Sequence, residues 1–211
     1  MTVSPPNRTS LPSDPGPSAV SACLRPFGTT IFSEMTALAE RHGAVNLSQG
    51  APDFDGPKPI LDAAESAMRS GVNQYARSGG LPVLVEALAE RYEALYGLRL
   101  DPYREIAVTC GATEAIAATM LGLLGPGDEV VLFEPYYDSY PACVAMAGAR
   151  ARYCTLRFPD FRLDRGALER CFGPRTRMVV LNSPHNPTGK VFEPAELEAV
   201  GELCRRHGAL V

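Results

Sequence analysis

The sequence predicts an α/β fold with a mostly parallel sheet and helices on both faces. Three observations carry this. From residue 105 onward, short β-branched and apolar runs alternate with helix-periodic segments. Upstream, three segments show helical stripes, closed by glycine at Gly43, Gly71 and Gly97. Hydrophobic residues make up 45% of the 211 and charged residues 21%, which is the composition of a globular protein with a core to bury.

The elements follow in chain order. Residues 30–42 have helical spacing and stop at Gly43. "AVNLSQGAPDF" then runs extended into a Gly/Pro-rich loop. "PKPILDAAESAMRSG" puts Ile60, Ala63, Ala64, Ala67 and Met68 on one helical face, with Gly71 ending it. "LPVLVEALAERYEALYG" repeats the pattern: Pro82 near its start, a stripe of Leu81, Leu84, Val85, Leu88, Tyr92 and Leu95, and Gly97 to close it. "EIAVTC" is expected to be a strand. "TEAIAATMLGLLG" is expected to be a helix beginning near Thr113, too uniformly apolar to expose a broad face. Next come a strand "DEVVLFE", a helix "DSYPACVAMAGA", a strand "ARYCTLRF", a short helix "GALERCFG" and a strand "TRMVVLN". The loop "NSPHNPTGK" leads to a helix over 194–207. That helix has Pro194 at its start, Glu196 in its first turn, Arg205 and Arg206 in its last, and Gly208 after it. "ALV" begins another strand. No internal repeat is visible.

Bulk properties narrow the function. The formal net charge is -4, which leaves no basic footprint for nucleic acid. The longest nearly apolar run, 115–124, contains Gly122 and is too short to span a bilayer. Residues 1–20 are rich in Pro and Ser, lack a secretory pattern, and are expected to form a disordered tail. The six cysteines form no C-x-x-C pair and no zinc spacing. They are expected to be buried small hydrophobes in a reducing cytoplasm. His42 and His207 each precede a glycine at a helix end, where a cation suits the dipole.

In an open α/β sheet, ligands bind at the carboxyl ends of strands. Three loops leave strand ends here. In "CGATEA", small residues Gly111 and Ala112 open a helix whose N–H groups can meet a phosphate, with the Thr113 hydroxyl beside them. Read alone, the loop is better explained by Thr113 as an ordinary N-cap. The loop lacks the glycine patterns of dinucleotide and P-loop sites, which speaks against a plain nucleotide binder. In "EPYYDSY", Tyr136 and Tyr137 are rings that can stack on a planar ligand or simply cover the sheet end. In "NSPHNPTGK", Asn182 and Asn186 offer amides stiffened by Pro184 and Pro187, or the loop is only a turn.

Together the three loops are more specific than any one of them. In their order along the chain they resemble the class I/II aminotransferases, the fold-type I enzymes that use pyridoxal 5'-phosphate. The resemblance runs from about residue 25 onward, through "GTTIFSEMTALAERHGAVNLSQGAPDFDGP", "NQYARSGGLPVLVEALAERY" and "NSPHNPTGKVF". The kynurenine/methionine aminotransferase branch is the most similar in flavour. The resemblance implies a large cofactor-binding domain over 56–211, incomplete, preceded by an arm and substrate loop over 21–55. It implies that Gly111, Ala112 and Thr113 hold the cofactor phosphate and that Tyr137, with Tyr136 second, stacks on the pyridine ring. Asn186 would hydrogen-bond the ring oxygen and lie beside the substrate, its bond to Pro187 being cis. Gly50 would touch the substrate carboxylate. Tyr75 would reach the phosphate of a neighbouring subunit, which implies a homodimer. Substrates would be an amino acid and a 2-oxo acid, and the setting cytoplasmic.

Some expected parts are missing. The family's covalent lysine matches neither Lys58 nor Lys190, the two lysines of the chain. The aspartate that pairs with the pyridine nitrogen, and the arginines of the family's second half, have no counterpart. The expectation is therefore the first half of an aminotransferase, inactive alone, with no catalytic residue of its own. Two further chemistries stay open: a C–S β-lyase or cyclopropane-forming reaction on the same scaffold, and the aminotransferase-like effector part of a transcription regulator. Ile31, Phe32 and the tyrosine pair suggest an apolar or aromatic substrate pocket, or Ile31 and Phe32 merely pack the arm.

Overall fold

The computed structural model describes residues 20–50 and 52–211. The tail expected over 1–20 lies outside these residues except for Val20, which is half exposed. Ten elements are present among them: α1 (Ile31–His42), α2 (Lys58–Arg69), α3 (Pro82–Tyr96), α4 (Gly111–Leu123), β1 (Glu129–Glu134), α5 (Ser139–Met146), β2 (Arg150–Thr155), α6 (Arg165–Cys171), β3 (Thr176–Val180) and α7 (Pro194–His207).

The three strands are parallel, in the order β2-β1-β3. A further parallel bridge joins Met178 to Leu210, so the expected final strand begins beside β3. Central β1 is apolar at successive positions because both of its faces are covered. Val130 and Leu132 point to a layer containing Met120, Cys143, Val144 and Met178. Val131 and Phe133 point the other way, to Leu168, Phe192, Val200 and Leu203. All four β1 side chains are buried, each stabilising by about 1.5–3 kcal/mol. Helices α4 and α5 cover one face, α6 and α7 the other.

Helix ends follow their local sequence. Thr30 caps α1 by accepting the Ser33 N–H at 3.2 Å, and Gly43 closes it in the left-handed region. Glu193 and Glu196 form a capping box at the start of α7, which ends on Gly208.

Four expectations need correction. Residues 106–109 belong to no strand, and 105 and 110 lie in a turn and a bend. Both edges of β1 are already taken by β2 and β3, and one backbone hydrogen bond to Gly79 makes no ladder. The segment is held instead by α3 and its entry turn. Val108 N–H donates to Gly79 O at 3.1 Å, the Tyr103 hydroxyl donates to Glu86, and Arg77 covers the Tyr103 ring. Gly80 (φ +112) lets Val108 come so close that a Cβ would meet its side chain at 2.6 Å.

The second correction is that α4 starts at Gly111, so Thr113 lies within the first turn and the N-cap is Cys110. Third, α4 buries only Met120, while Leu121 and Leu123 are exposed, because α5 covers a single face of it. The stripe of α2 is likewise open at Ile60 and Met68, and that of α3 buries only Val85. Fourth, Cys143, Cys154, Cys171 and Cys204 are buried as expected, but Cys23 and Cys110 are exposed. Cys23 lies in the turn before α1, and Cys110 is the N-cap of a helix that begins at the surface.

Candidate functional site

Parallel strands deliver their carboxyl ends to one edge of the sheet, and β1 and β3 both end there. β1 feeds the tyrosine loop and α5; β3 feeds the 181–193 loop and α7.

The start of α4 is built to leave donors free. Gly111 takes φ +79, and nothing lies within 4 Å of where its Cβ would be. Its own N–H is committed to Thr109 O at 2.8 Å, and the Glu114 carboxylate takes the N–H of Cys110. The N–H groups of Ala112 and Thr113 meet no acceptor among the described residues. Residues 111–114 are all exposed, so this donor pair and the positive end of the helix dipole face open space.

The two tyrosines separate. Tyr136 stacks on Tyr153 of β2, ring centroids 5.3 Å apart and planes 26° from parallel, which commits it to the neighbouring strand. Tyr137 meets Tyr140 edge-on at 5.6 Å and Phe32 of α1 at 6.4 Å. Burial, with Tyr137 adding to it, pushes the Tyr140 phenol up, so Tyr140 stays neutral. Phe32 thus packs α1 against Tyr137, and Ile31, although exposed, lines a second hollow together with Tyr136 and Tyr137. Beyond Tyr137, Asp138 Oδ2 and Ser139 Oγ are buried without a partner among the described residues. Asp138, Tyr137, Thr30, Phe32 and Gln49 line one open hollow. Sequence reasoning missed Asp138 and Ser139. A polar pair directly after two aromatics at a helix start was the available signal.

The third loop is a closed turn. Gly189 N–H donates to His185 O at 2.7 Å, His185 N–H to Lys190 O at 2.8 Å, and Asn186 N–H to Asn182 Oδ1 at 2.9 Å. The bonds Ser183-Pro184 and Asn186-Pro187 are both cis. His185 is buried, its Nδ1 2.9 Å from Thr188 Oγ1 and its ring edge-on to Phe192. Burial lowers its pKa, the Phe133 backbone opposes this, and Lys190 adds to it. Lys190 is buried too; its Nζ lies 2.9 Å from Glu196 Oε2 and over the Phe192 ring. What remains outward is Asn186, whose side-chain amide has no partner among the described residues.

The other predicted residues stand apart. Gly50 is exposed, next to Gln49 of the hollow beside Tyr137. Tyr75 is fully exposed and touches none of the other predicted residues. Lys58 pairs with Asp62 on the surface at 2.8 Å. Both lysines are therefore engaged elsewhere. Among the described residues no group of three or more His, Cys, Asp or Glu could hold a metal ion, and no helix is long and apolar enough to cross a membrane.

Known proteins align with this arrangement. Residues 42–211 match the family "Aminotransferase class I and II". The chain is 53% identical over 184 residues to the probable N-succinyldiaminopimelate aminotransferase DapC of Mycobacterium tuberculosis, covering 86% of this chain and 46% of the relative. It is 43% identical to the methionine aminotransferase of Escherichia coli, covering 89% and 49%. The solved N-succinyldiaminopimelate aminotransferase of M. tuberculosis superimposes with a TM-score of 0.86 at 50% identity, covering 91% of this chain and 51% of that one. The chain spans about half the length of the curated relatives it matches. Enzymes of this family use pyridoxal 5'-phosphate. Over the part it spans, the fold, the loops and the sequence agree: the chain belongs to the class I and II aminotransferases.

Proposed function

We propose that the protein takes part in transamination between an L-amino acid and a 2-oxo acid, and that these residues build one wall of its cofactor site. The observation that supports this most is the set of groups offered by the three loops that lead into α4, α5 and α7. Two unpaired helix N–H donors, one half-buried aromatic ring and one unpaired amide are what a phosphorylated, planar, oxygen-bearing cofactor requires.

In this reading pyridoxal 5'-phosphate supplies the electron sink when bound. The N–H groups of Ala112 and Thr113, with the Thr113 hydroxyl, would hold its phosphate. Tyr137, propped edge-on by Tyr140, would set the ring plane. Asn186 would donate to the ring oxygen, stabilising negative charge there. His185 does no acid–base work, since it is buried against Thr188. Lys190 does not bond the cofactor, since it is locked to Glu196. Gly50 would meet the substrate carboxylate and Tyr75 would serve a partner subunit in a homodimer. We take 21–55 as the arm and 56–211 as the cofactor domain of a cytoplasmic enzyme. Likeness to a relative named for N-succinyldiaminopimelate makes that amino acid the first substrate to try.

The test is amino transfer by the full-length protein with the cofactor added. Activity is expected to require a 2-oxo acid. Asn186→Ala is expected to lower kcat/KM about 10–100-fold, the loss of one hydrogen bond to a charged group. Release of ammonia and a 2-oxo acid from the amino acid without a 2-oxo acid acceptor would overturn transamination.

A further inference from the structure

We propose that the hollow between β2 and α6 binds a small polyanion, one carrying phosphoryl or clustered carboxyl groups. The hollow is open and about 670 Å³ in volume, a size usual for a small-molecule site. Arg152, Arg157, Arg162 and Arg170 line it. None of its lining residues belongs to the loops that lead into α4, α5 and α7, so the inference stands apart from the cofactor reading.

Four cations gather here on a chain whose formal net charge is -4. The backbone forces part of the crowding. Arg157 and Arg162 face each other across an isolated antiparallel bridge that closes the 157–162 turn, where Phe161 N–H donates to Arg157 O at 2.9 Å. Residues opposed in this way share one face, with Cβ atoms about 4.5–5.5 Å apart, and like charges there are destabilising. Arg170 joins them from α6. Gly166, one turn earlier, leaves it room: a Cβ there would lie 3.4 Å from Arg170 Nη1.

Little within the fold offsets this charge. Arg162 pairs with Asp160 at 3.0 Å. Arg152 stands 3.9 Å from Glu129 Oε2, while Arg175 holds Oε1 of the same carboxylate at 2.8 Å. Arg157 and Arg170 have no ion pair and no side-chain hydrogen bond among the described residues. The carboxylate in the lining, Asp164, caps α6 by accepting the Ala167 N–H. Guanidinium groups grip phosphate and carboxylate oxygens through paired N–H donors. Two unengaged guanidinium groups beside two others suit a ligand with several negative charges better than a single carboxylate. Such a ligand would also relieve the repulsion between Arg157 and Arg162.

The test is titration calorimetry on the full-length protein, loaded with pyridoxal 5'-phosphate and freed of excess. Pyrophosphate and citrate are the probes. The tighter of the two identifies the ligand's groups as phosphoryl or carboxyl. At least one probe is expected to bind, less tightly as salt rises, and to lose about tenfold or more in affinity in Arg157→Gln/Arg170→Gln. Both side chains are exposed and unpaired, so the double variant is expected to fold. Should it not, R157Q and R170Q decide singly, each with a smaller loss expected. Binding of neither probe, or binding of both to the variants as tightly as to the wild type, would overturn the proposal.

Discussion

At the scale of single residues, the "NSPHNPTGK" loop shows how chemical appearance and role diverge. His185 looks like a general base and Lys190 like a nucleophile, yet both are buried and engaged, while Asn186 is outward. His185 gives a pH signature. Its pKa is lowered in the fold, so the unfolded chain binds the proton first. The stability this contributes is present above about pH 6.5, the ordinary histidine value, and is lost as pH falls towards the folded value. His185→Gln should flatten the stability profile between about pH 7 and 5 while leaving the pH dependence of amino transfer unchanged. Chemical denaturation at a series of pH values checks the first, and a pH–rate profile the second. The motif was legible as a rigid turn holding an amide. The Lys190–Glu196 pair was not, because it joins a loop to a helix turn whose relative placement no local spacing encodes.

At the scale of elements, one carboxylate of α7 joins the helix to two other segments. Glu196 accepts the N–H groups of Leu163 and Glu193, each at 2.8 Å, and the Lys190 ammonium. Burial pushes its pKa up, but these three donors outweigh burial and the net shift is downward. The stability it contributes is therefore present above about pH 4.3 and is lost as pH falls through the lower folded value. Glu196→Leu should cost about 3 kcal/mol near neutral pH, because Lys190 is left buried without its partner. Urea unfolding measures it, and a loss under about 0.5 kcal/mol would show the pair to be incidental. The helix was legible to the residue, since Pro194, Glu196, Arg205 and Gly208 mark its ends. The 105–110 segment was misread for the converse reason. Its composition is that of a strand, but a strand is a relation to a neighbour.

At the scale of the molecule, the sheet core is closed on both faces while several helices are not. No residue of α1 or α2 is buried, and Ile60, Met68, Val83, Leu95 and Tyr96 are exposed. A stable monomer seldom leaves so many large apolar side chains of its helices open. Residues 1–211 produced alone are expected to self-associate, with sedimentation velocity showing mass well above 22.6 kDa. The outer strand β2 is better protected, since Arg150 and Arg152 put charge along it. Helical periodicity revealed the apolar stripes of these helices but not what would cover them, because a stripe specifies only that it needs a partner.

The account centres on a cofactor seat built by the loops that lead into α4, α5 and α7, and the most direct measurement is a crystal structure of the full-length protein with pyridoxal 5'-phosphate. The account predicts the phosphate on the N–H groups of Ala112 and Thr113, the ring against Tyr137, and the Asn186 amide within hydrogen-bond distance of the ring oxygen. A cofactor bound elsewhere, with Tyr137 and Asn186 untouched, would contradict it.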